Sequence, residues 1–581
     1  MLIRMRRYLI AKQKVADIII DTLRAAGVKR CYGVVGDTLN HITDAIRRSD
    51  IAWVHMRHEE AGAFAAGAEA YMTGNLTACA GSCGPGSLHF INGLFECHRN
   101  RTPVILIASQ VNSNELGIDF PQEVDFQPIY RTCSVFCEML TNPSEARRLT
   151  TLAAQAALTK HGVAVLIVPG DISAVEVEDG PAYSVHVPSP VIRPSDAELD
   201  RIAAILNEGG RIAVYAGAGC QGALRQVIKF CETLKAPMAH TSRAKDFVEA
   251  DNPYNVGMTG IFGSKAGHHA VTQCDTLVLL GCDFAWRQFY PKKARIIQID
   301  LDPTHLGRRH PVEVGVVGDI AATLDSLQPK LKTQENRTFL DARLSDHDEV
   351  KKDHTHQEHP GKDGLIHPQQ LTRLIDTHAD ADAMFTADVG SPMVWLLRHI
   401  RANGRRRTLT SLLHGTMANG MPQALGLKKA FPNRQVISLS GDGGLAMLLG
   451  DLLTAVQEKI PIKVVVYNNS TLGFVELEMK VEGLLNAYTD LENPDFAKLA
   501  EVVGFRGWRV ERNEDLEASV IAFLAHPGPA LLDVKVNRME LVMPPQVEAS
   551  QVIGMALYSV KAVLSGRPND VVELIESNFI E

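Results

Sequence analysis

The sequence predicts an α/β protein of three doubly wound domains with parallel sheets, followed by a short amphipathic tail. Two observations carry that prediction. In the first, the apolar run ending at Ser440-Gly441-Asp442-Gly443-Gly444 and the run Val464-Val465-Val466-Tyr467 before Asn468-Asn469 flank a stretch with helical spacing: Leu445, Leu448, Leu449, Leu452, Leu453 and Val456. Strand, helix, strand in that order makes the two strands parallel neighbours. Asp442 and Asn469 then leave the same carboxyl edge, where open α/β sheets bind ligands. In the second, two upstream blocks repeat the same alternation of short apolar runs and helical stretches.

Taken in order, the first block spans 1–187. A basic start with Arg4, Arg6, Arg7, Lys12 and Lys14 lacks the apolar core and cleavage site of a signal peptide. An amphipathic helix is expected at 15–26 and strands at 30–35, 77–80, 103–108 and 163–168. Pro188, Pro190 and Pro194 mark 185–194 as a linker. The second block, 195–331, offers strands at 211–215, 276–280 and 295–299. Residues 346–363 carry His347, His354, His356 and His359 among lysines and aspartates, and read as a solvated linker rather than a metal site. The third block, 365–543, holds Asp442, and a tail at 551–581 stands apart. The first and third blocks are alike in size and pattern, which suits face-to-face packing around a ligand.

A length of 581 residues requires several cores. Hydrophobic content of 45% and charged content of 22% are those of an ordinary globular chain, and a net charge of −8 argues against nonspecific nucleic-acid binding. No apolar run of about 18 residues is present to span a membrane. The ten cysteines lie mostly in apolar segments and form no CxxC, which reads as buried thiols of a cytoplasmic protein.

Chemistry follows from residue type. A carboxylate and an amide carbonyl at Asp442 and Asn469 are hard oxygen ligands that suit Mg²⁺, and the glycines beside Asp442 let backbone N–H groups approach a diphosphate. Glu59, in Arg57-His58-Glu59-Glu60, opens a helix of very small residues, Ala61 to Ala68. It is either a first-turn acid favoured by the helix dipole or a buried functional acid. Gly81-Ser82-Cys83-Gly84-Pro85-Gly86, before a helix expected at 88–97, is a phosphate loop or a structural turn.

Together these residues resemble the thiamine-diphosphate-dependent 2-oxo acid decarboxylase and oxidase family over nearly the whole chain. The resemblance implies pyrimidine-binding, central and diphosphate-binding domains. It implies that Asp442, Asn469 and the backbone carbonyl of Thr471 hold Mg²⁺, and that Gly443, Gly444, Leu472 and Gly473 contact the cofactor. Glu59 is similar to the family's glutamate on the aminopyrimidine ring. Gly415-Thr416-Met417, after His414, is similar to its pyrimidine-contacting segment, with Met417 as the apolar prop. Asp388-Val389-Gly390 resembles a further cofactor turn.

Within the family, the middle block resembles the branch of quinone-dependent pyruvate dehydrogenases. Gly217, Gly219, Gly260, Ile261, Phe262, Gly263, Asp283, Phe284, Asp300 and Asp319 are similar to its FAD-binding pieces. On residues alone, glycine turns after strands fit a dinucleotide, and Asp300 at a strand end can bond a ribose hydroxyl. The resemblance implies oxidative decarboxylation of pyruvate to acetate and carbon dioxide, with electrons passing to FAD, helped by Phe474, and then to a quinone such as ubiquinone. It also implies a homotetramer. The alternatives are an acetolactate synthase, a phosphate- and oxygen-dependent oxidase making acetyl phosphate, and a non-catalytic relative; the last would have lost Glu59, Asp442 or Asn469.

Two departures stand out. Phe120-Pro121-Gln122-Glu123 puts Pro121 where the family has an aromatic near the substrate. The tail resembles a lipid-responsive segment, with Val571, Leu574, Ile575 and Phe579 as an apolar stripe. From Ser559 onward, however, it carries Lys561 and Arg567 against Asp570, Glu573, Glu576 and Glu581, where membrane-surface helices favour basic residues. Docking on its own protein and peripheral contact with the inner face of the cell membrane both follow from that stripe.

Overall fold

Three six-stranded parallel sheets, each built on a separate block of the chain, define this computed structural model. It describes residues 12–178, 183–357, 364–540, 542 and 549–579. The expected basic start falls largely outside these residues, as do the end of the third block at Met543 and the Phe579 side chain.

In the first sheet the strands lie in the order Ala52–His55, Arg30–Gly33, Thr77–Gly81, Val104–Gln110, Val163–Pro169, Phe136–Met139. The middle sheet runs Asn255–Met258, Met238–His240, Ile212–Ala216, Thr276–Leu280, Arg295–Asp300, Val314–Val317. The third runs Arg407–Thr410, Met384–Ala387, Val436–Gly441, Lys463–Asn468, Ala530–Lys535, Arg506–Val510. The central strands are apolar on both faces and fully buried, as helix-covered parallel strands must be. A two-stranded antiparallel ribbon, Lys12–Lys14 with Glu176–Glu178, closes the first block.

The first and third blocks share one core. The small-residue helix Glu59–Thr73 packs on the Gly420–Ala430 helix. A Cβ at Gly426 would lie 2.0 Å from the Ala65 carbonyl oxygen, so the small residues serve a close helix–helix approach. One contiguous cluster runs from Phe64 and Leu106 through Met421 and Leu425 to Leu445 and Val466. The middle block is tied in by polar bonds, among them Asp246 to Thr408 and Arg101 to His305.

Three expectations need correction. Residues 346–357 are helical: they belong to the Thr338–Gln357 helix, most of whose side chains are exposed as expected of a solvated linker, while His347 and His354 turn against the middle and third blocks, and 358–363 lie outside the described residues. Among the described residues none of these histidines joins a metal-type cluster. The crossover after Asp442 is not one helix. It breaks into Asp442–Met447, a 3₁₀ turn Leu449–Asp451 and Leu452–Gln457. The break lets Asp451 accept the Arg57 N–H of the first block at 2.8 Å. The helix expected from Leu88 begins at Ile91, after a separate turn Pro85–Leu88.

The tail forms helices Ala549–Leu564 and Pro568–Phe579. Tyr558, Ala562 and Leu574 bury against Met539 and Leu477, so the tail docks on the Gly473–Val481 helix. Ile553 and Leu564 face outward, 68% and 81% exposed. No described helix is long and apolar enough to cross a membrane.

Candidate cofactor cleft

Val436–Gly441 and Lys463–Asn468 are parallel neighbours with Gly441 opposite Tyr467, which brings Asp442 and Asn469 to one sheet edge. Asp442 is buried, and its carboxylate accepts three hydrogen bonds: Gly443 N–H at 2.9 Å, Ser470 N–H at 2.7 Å and Asn493 Nδ2 at 2.8 Å. Burial pushes its carboxyl above the ordinary range while these bonds oppose the shift. Asn468 turns inward, donating to Asp533 and accepting from Lys535. Asn469 therefore faces the cleft, on a chain bent by Ser470 at φ +57°. The Thr471 hydroxyl is committed to Glu476 at 2.7 Å.

Asp442, Asn469 and Thr471 line an open cleft together with Asp388, Gly390, Trp395, Met417, Gly443, Gly444, Leu472, Gly473 and Phe474. This wall is tight around its glycines: a Cβ would meet Leu472 Cδ2 at 2.7 Å from Gly443, and Asp388 Oδ2 at 2.5 Å from Gly444. Asp388 is fully buried and its carboxyl is pushed up to about 6 by burial. Its Oδ1 accepts the Gly420 N–H, while Oδ2 has no protein partner. An orphaned buried oxygen, a desolvated carboxylate and glycine backbone at a helix start fit a magnesium diphosphate.

Glu59 sits elsewhere. It opens its helix behind His58, whose Nδ1 accepts the Glu60 N–H at 3.2 Å, and its own Oε2 meets His89 Nδ1 at 3.1 Å. The His58 and His89 rings stack at 5.0 Å. Glu59, Gly415 and Thr416 are not among the residues lining the Asp442 cleft. Beside Glu59, Gly81 packs on the Gly86 carbonyl, and Gly84, at φ +59°, abuts Gln122 of the Pro121 loop. That glycine loop is a packed turn rather than an open cradle. Phe120 is 38% exposed and Glu123 ties the loop by accepting the Gly117 and Phe120 N–H groups.

The residues of the middle block gather at the carboxyl edge of its sheet. Gly217 and Gly219 pack on the Gly281 turn, where a Cβ would meet backbone at 2.3 and 2.7 Å. Gly260, at φ +97°, lies under Phe284 and Trp286, and Gly263 closes the same turn beside half-buried Ile261. Asp283 receives Arg308 and Arg309, and Asp300 accepts from His305 Nδ1 and the Asp302 N–H, both at 3.0 Å. Asp319 caps the Ile320–Leu327 helix by accepting the Ala322 N–H. Parallel strand ends with a carboxylate at Asp300 and two guanidiniums gathered at Asp283 fit a dinucleotide. Phe262 reaches from this block to Phe474 at the cleft.

Sequence reasoning missed Asn493, Arg308 and Arg309. Only the Arg308-Arg309 pair, following Asp300 closely, carried a signal in the chain itself.

Comparison with known proteins agrees with this architecture block by block. Residues 13–129 match the profile of the thiamine pyrophosphate enzyme N-terminal TPP binding domain, 199–327 its central domain and 388–534 its C-terminal TPP binding domain. A putative thiamine pyrophosphate-containing protein of Bacillus subtilis, YdaP, is 33% identical over 95% of this chain and 96% of its own length. The pyruvate oxidase of Lactiplantibacillus plantarum is 30% identical, covering 89% of this chain and 88% of that protein. The acetolactate synthase isozyme 2 large subunit of Escherichia coli is 30% identical as well, over 91% and 96%. With three matched domains in the family order and relatives aligned over nearly their full length, the chain belongs to the thiamine pyrophosphate enzyme family.

Proposed function

We propose that the protein decarboxylates pyruvate oxidatively to acetate and carbon dioxide, passing the electrons to FAD and then to a quinone. The observation that carries this reading is the contact of Phe262 with Phe474, which joins the dinucleotide edge of the middle block to the Asp442 cleft. Electron passage between the two sites would use such a junction.

Asp442, Asn469 and the Thr471 carbonyl would hold Mg²⁺, and the Gly443 and Gly444 N–H groups would face the diphosphate. When bound, thiamine diphosphate supplies the carbanion and the electron sink for decarboxylation. Met417 would support the cofactor from the cleft wall, and Leu472 and Gly473 would close over it. Glu59 would hold a proton at the aminopyrimidine nitrogen, with His89 orienting its carboxylate. Glu59 and the Asp442 cleft are separate within one chain, and a homotetramer in which a second subunit supplies Glu59 is part of this proposal. Docked as it is on the Gly473–Val481 helix, the tail offers its outward apolar face for peripheral membrane contact.

The test is anaerobic: pyruvate, thiamine diphosphate and Mg²⁺ are added and the flavin is watched for bleaching, then quinone, oxygen and phosphate are supplied in turn. Acetate formed with quinone reduction supports the reading. Acetolactate without flavin bleaching, or acetyl phosphate with peroxide, overturns it. Glu59→Gln should abolish turnover with FAD still bound, and near-normal flavin reduction in that variant would rule the Glu59 role out.

A further inference from the structure

The turn that carries Met417 into the cleft is held from the first block by one face of the Ile91–Arg99 helix. Glu96 on that face is buried, 2% exposed, and its Oε2 accepts the Ser411 hydroxyl at 2.5 Å. Its Oε1 accepts from Asn100 Nδ2. Ser411 Oγ in turn accepts the N–H groups of Gly415 at 3.0 Å and Thr416 at 3.1 Å. A hydroxyl has two lone pairs and one hydrogen. Both lone pairs of Ser411 are used by the turn, so its hydrogen must go to Glu96.

One helical turn away on the same face, Asn92 accepts from His414 Nε2 at 2.8 Å and donates to Thr416 Oγ1 at 3.1 Å. Phe95 stacks on the His414 ring at 5.7 Å. The Thr416 hydroxyl then donates to the Met417 carbonyl at 2.9 Å. A chain of bonds therefore runs from Glu96 to the residue that lines the cleft with Asp442.

We propose that Glu96 is a positioning residue for the cofactor site, locking the 411–417 turn through Ser411, and that the lock tightens when Glu96 ionises. A protonated Oε2 no longer accepts the Ser411 hydrogen as a carboxylate does, and the bond weakens because charge-assisted bonds are the stronger ones. Burial pushes the Glu96 carboxyl up to about 7, opposed by the Ser411 and Asn100 bonds and by Arg243. The lock therefore changes strength around neutral pH. The groups facing Glu96 are Ser411 of the third block, Arg243 of the middle block, and Asn100 and Cys97 of the first. Of these only Arg243 is charged near neutrality, because burial holds the Cys97 thiol well above its ordinary range.

This inference rests on thiamine diphosphate as the occupant of the cleft. Its test is binding of thiamine diphosphate at saturating Mg²⁺ to the full-length protein, read by fluorescence of Trp395 in the cleft wall, from about pH 6 to about pH 8. The wild type should bind about tenfold tighter at the alkaline end, with an inflection near neutrality, as loss of one charge-assisted bond implies. Ser411→Ala should bind about tenfold more weakly at the alkaline end and lose that inflection. Glu96→Gln, which cannot ionise, should likewise lose that inflection and keep only the dependence common to all three proteins. Other titrating groups at the site are common to all three proteins, so the difference between profiles reports Glu96. A flat wild-type profile overturns the inference, as does an unchanged inflection in Ser411→Ala with wild-type circular dichroism. The alanine variant decides the matter alone if Glu96→Gln does not fold. Absence of thiamine diphosphate binding in the wild type at every pH would overturn the cofactor reading itself.

Discussion

The rings of Phe262 and Phe474, from different blocks of the chain, lie with centroids 6.5 Å apart and planes tilted by 52°. Phe474 starts the Gly473–Val481 helix at the cleft, and Phe262 follows the Gly260 turn of the middle sheet. Phe474→Ala opens a gap between the two. Flavin reduction by pyruvate in anaerobic stopped flow is expected to slow about tenfold, the effect of a small change in geometry on a positioned step. An unchanged rate would assign Phe474 to packing alone.

Asp442 accepts three hydrogen bonds and is buried, so replacing it by Asn points an amide N–H₂ at groups that are themselves donors. Asp442→Asn is expected to weaken Mg²⁺-dependent thiamine diphosphate binding about a hundredfold, from loss of the charge and mispairing of its neighbours. Calorimetric titration with and without Mg²⁺ checks this, and a variant that binds as well as wild type would remove Asp442 from the metal set.

Gly426 meets the Ala65 carbonyl across the two packed helices, and a Cβ there would sit 2.0 Å from that oxygen. Gly426→Ala must push the helices apart and is expected to cost about 3 kcal/mol, at the upper end of overpacking in a tight core. Denaturant unfolding measures the loss. Gly74→Ala is the control, since a Cβ at Gly74 has no neighbour within 4 Å, although its φ of +72° adds local strain.

His347 and His354 lie in the Thr338–Gln357 helix with their imidazoles pushed down to about 4 and about 3, chiefly by burial. Lys351 adds to the first shift, and His399, Arg398 and Lys245 to the second. The unfolded chain takes up these protons near about pH 6.5 and the folded chain does not. Stability from this source is therefore full above about pH 6.5 and is lost as pH falls toward the two folded values. His354→Leu is expected to flatten the acid limb of stability by roughly 3 kcal/mol at about pH 4. Denaturation midpoints measured across that range would show it, and an identical limb in both proteins would refute the assignment.

Strand–helix–strand periodicity made the sheets legible, because parallel strands covered on both faces are short continuous apolar runs between glycine turns. The Asp442–Asn469 edge was legible for the same reason: the order of strand, helix and strand fixes which ends meet. Other features depended on contacts that no local pattern encodes. Edge strands such as Ala52–His55 and Arg506–Val510 are partly exposed and mix polar or charged with apolar residues, so their periodicity is weak. The helical state of Thr338–Gln357 was hidden because polar residues dominate it, and the seating of His347 and His354 depends on neighbours distant in sequence. The small residues after Glu59 admitted a partner helix or a ligand; the partner is the Gly420–Ala430 helix. Ser411 gave no signal at all, since its importance comes from Glu96, far away along the chain.

The core shared by the first and third blocks has a consequence for synthesis. The first block leaves the ribosome with the apolar face of Glu59–Thr73 uncovered, and its cover, Gly420–Ala430, is translated only after the whole middle block. Until then that face is a target for chaperones and for aggregation. An isolated first block is accordingly expected to be poorly soluble, and the middle block, which has its own separate core, is the piece best able to fold alone.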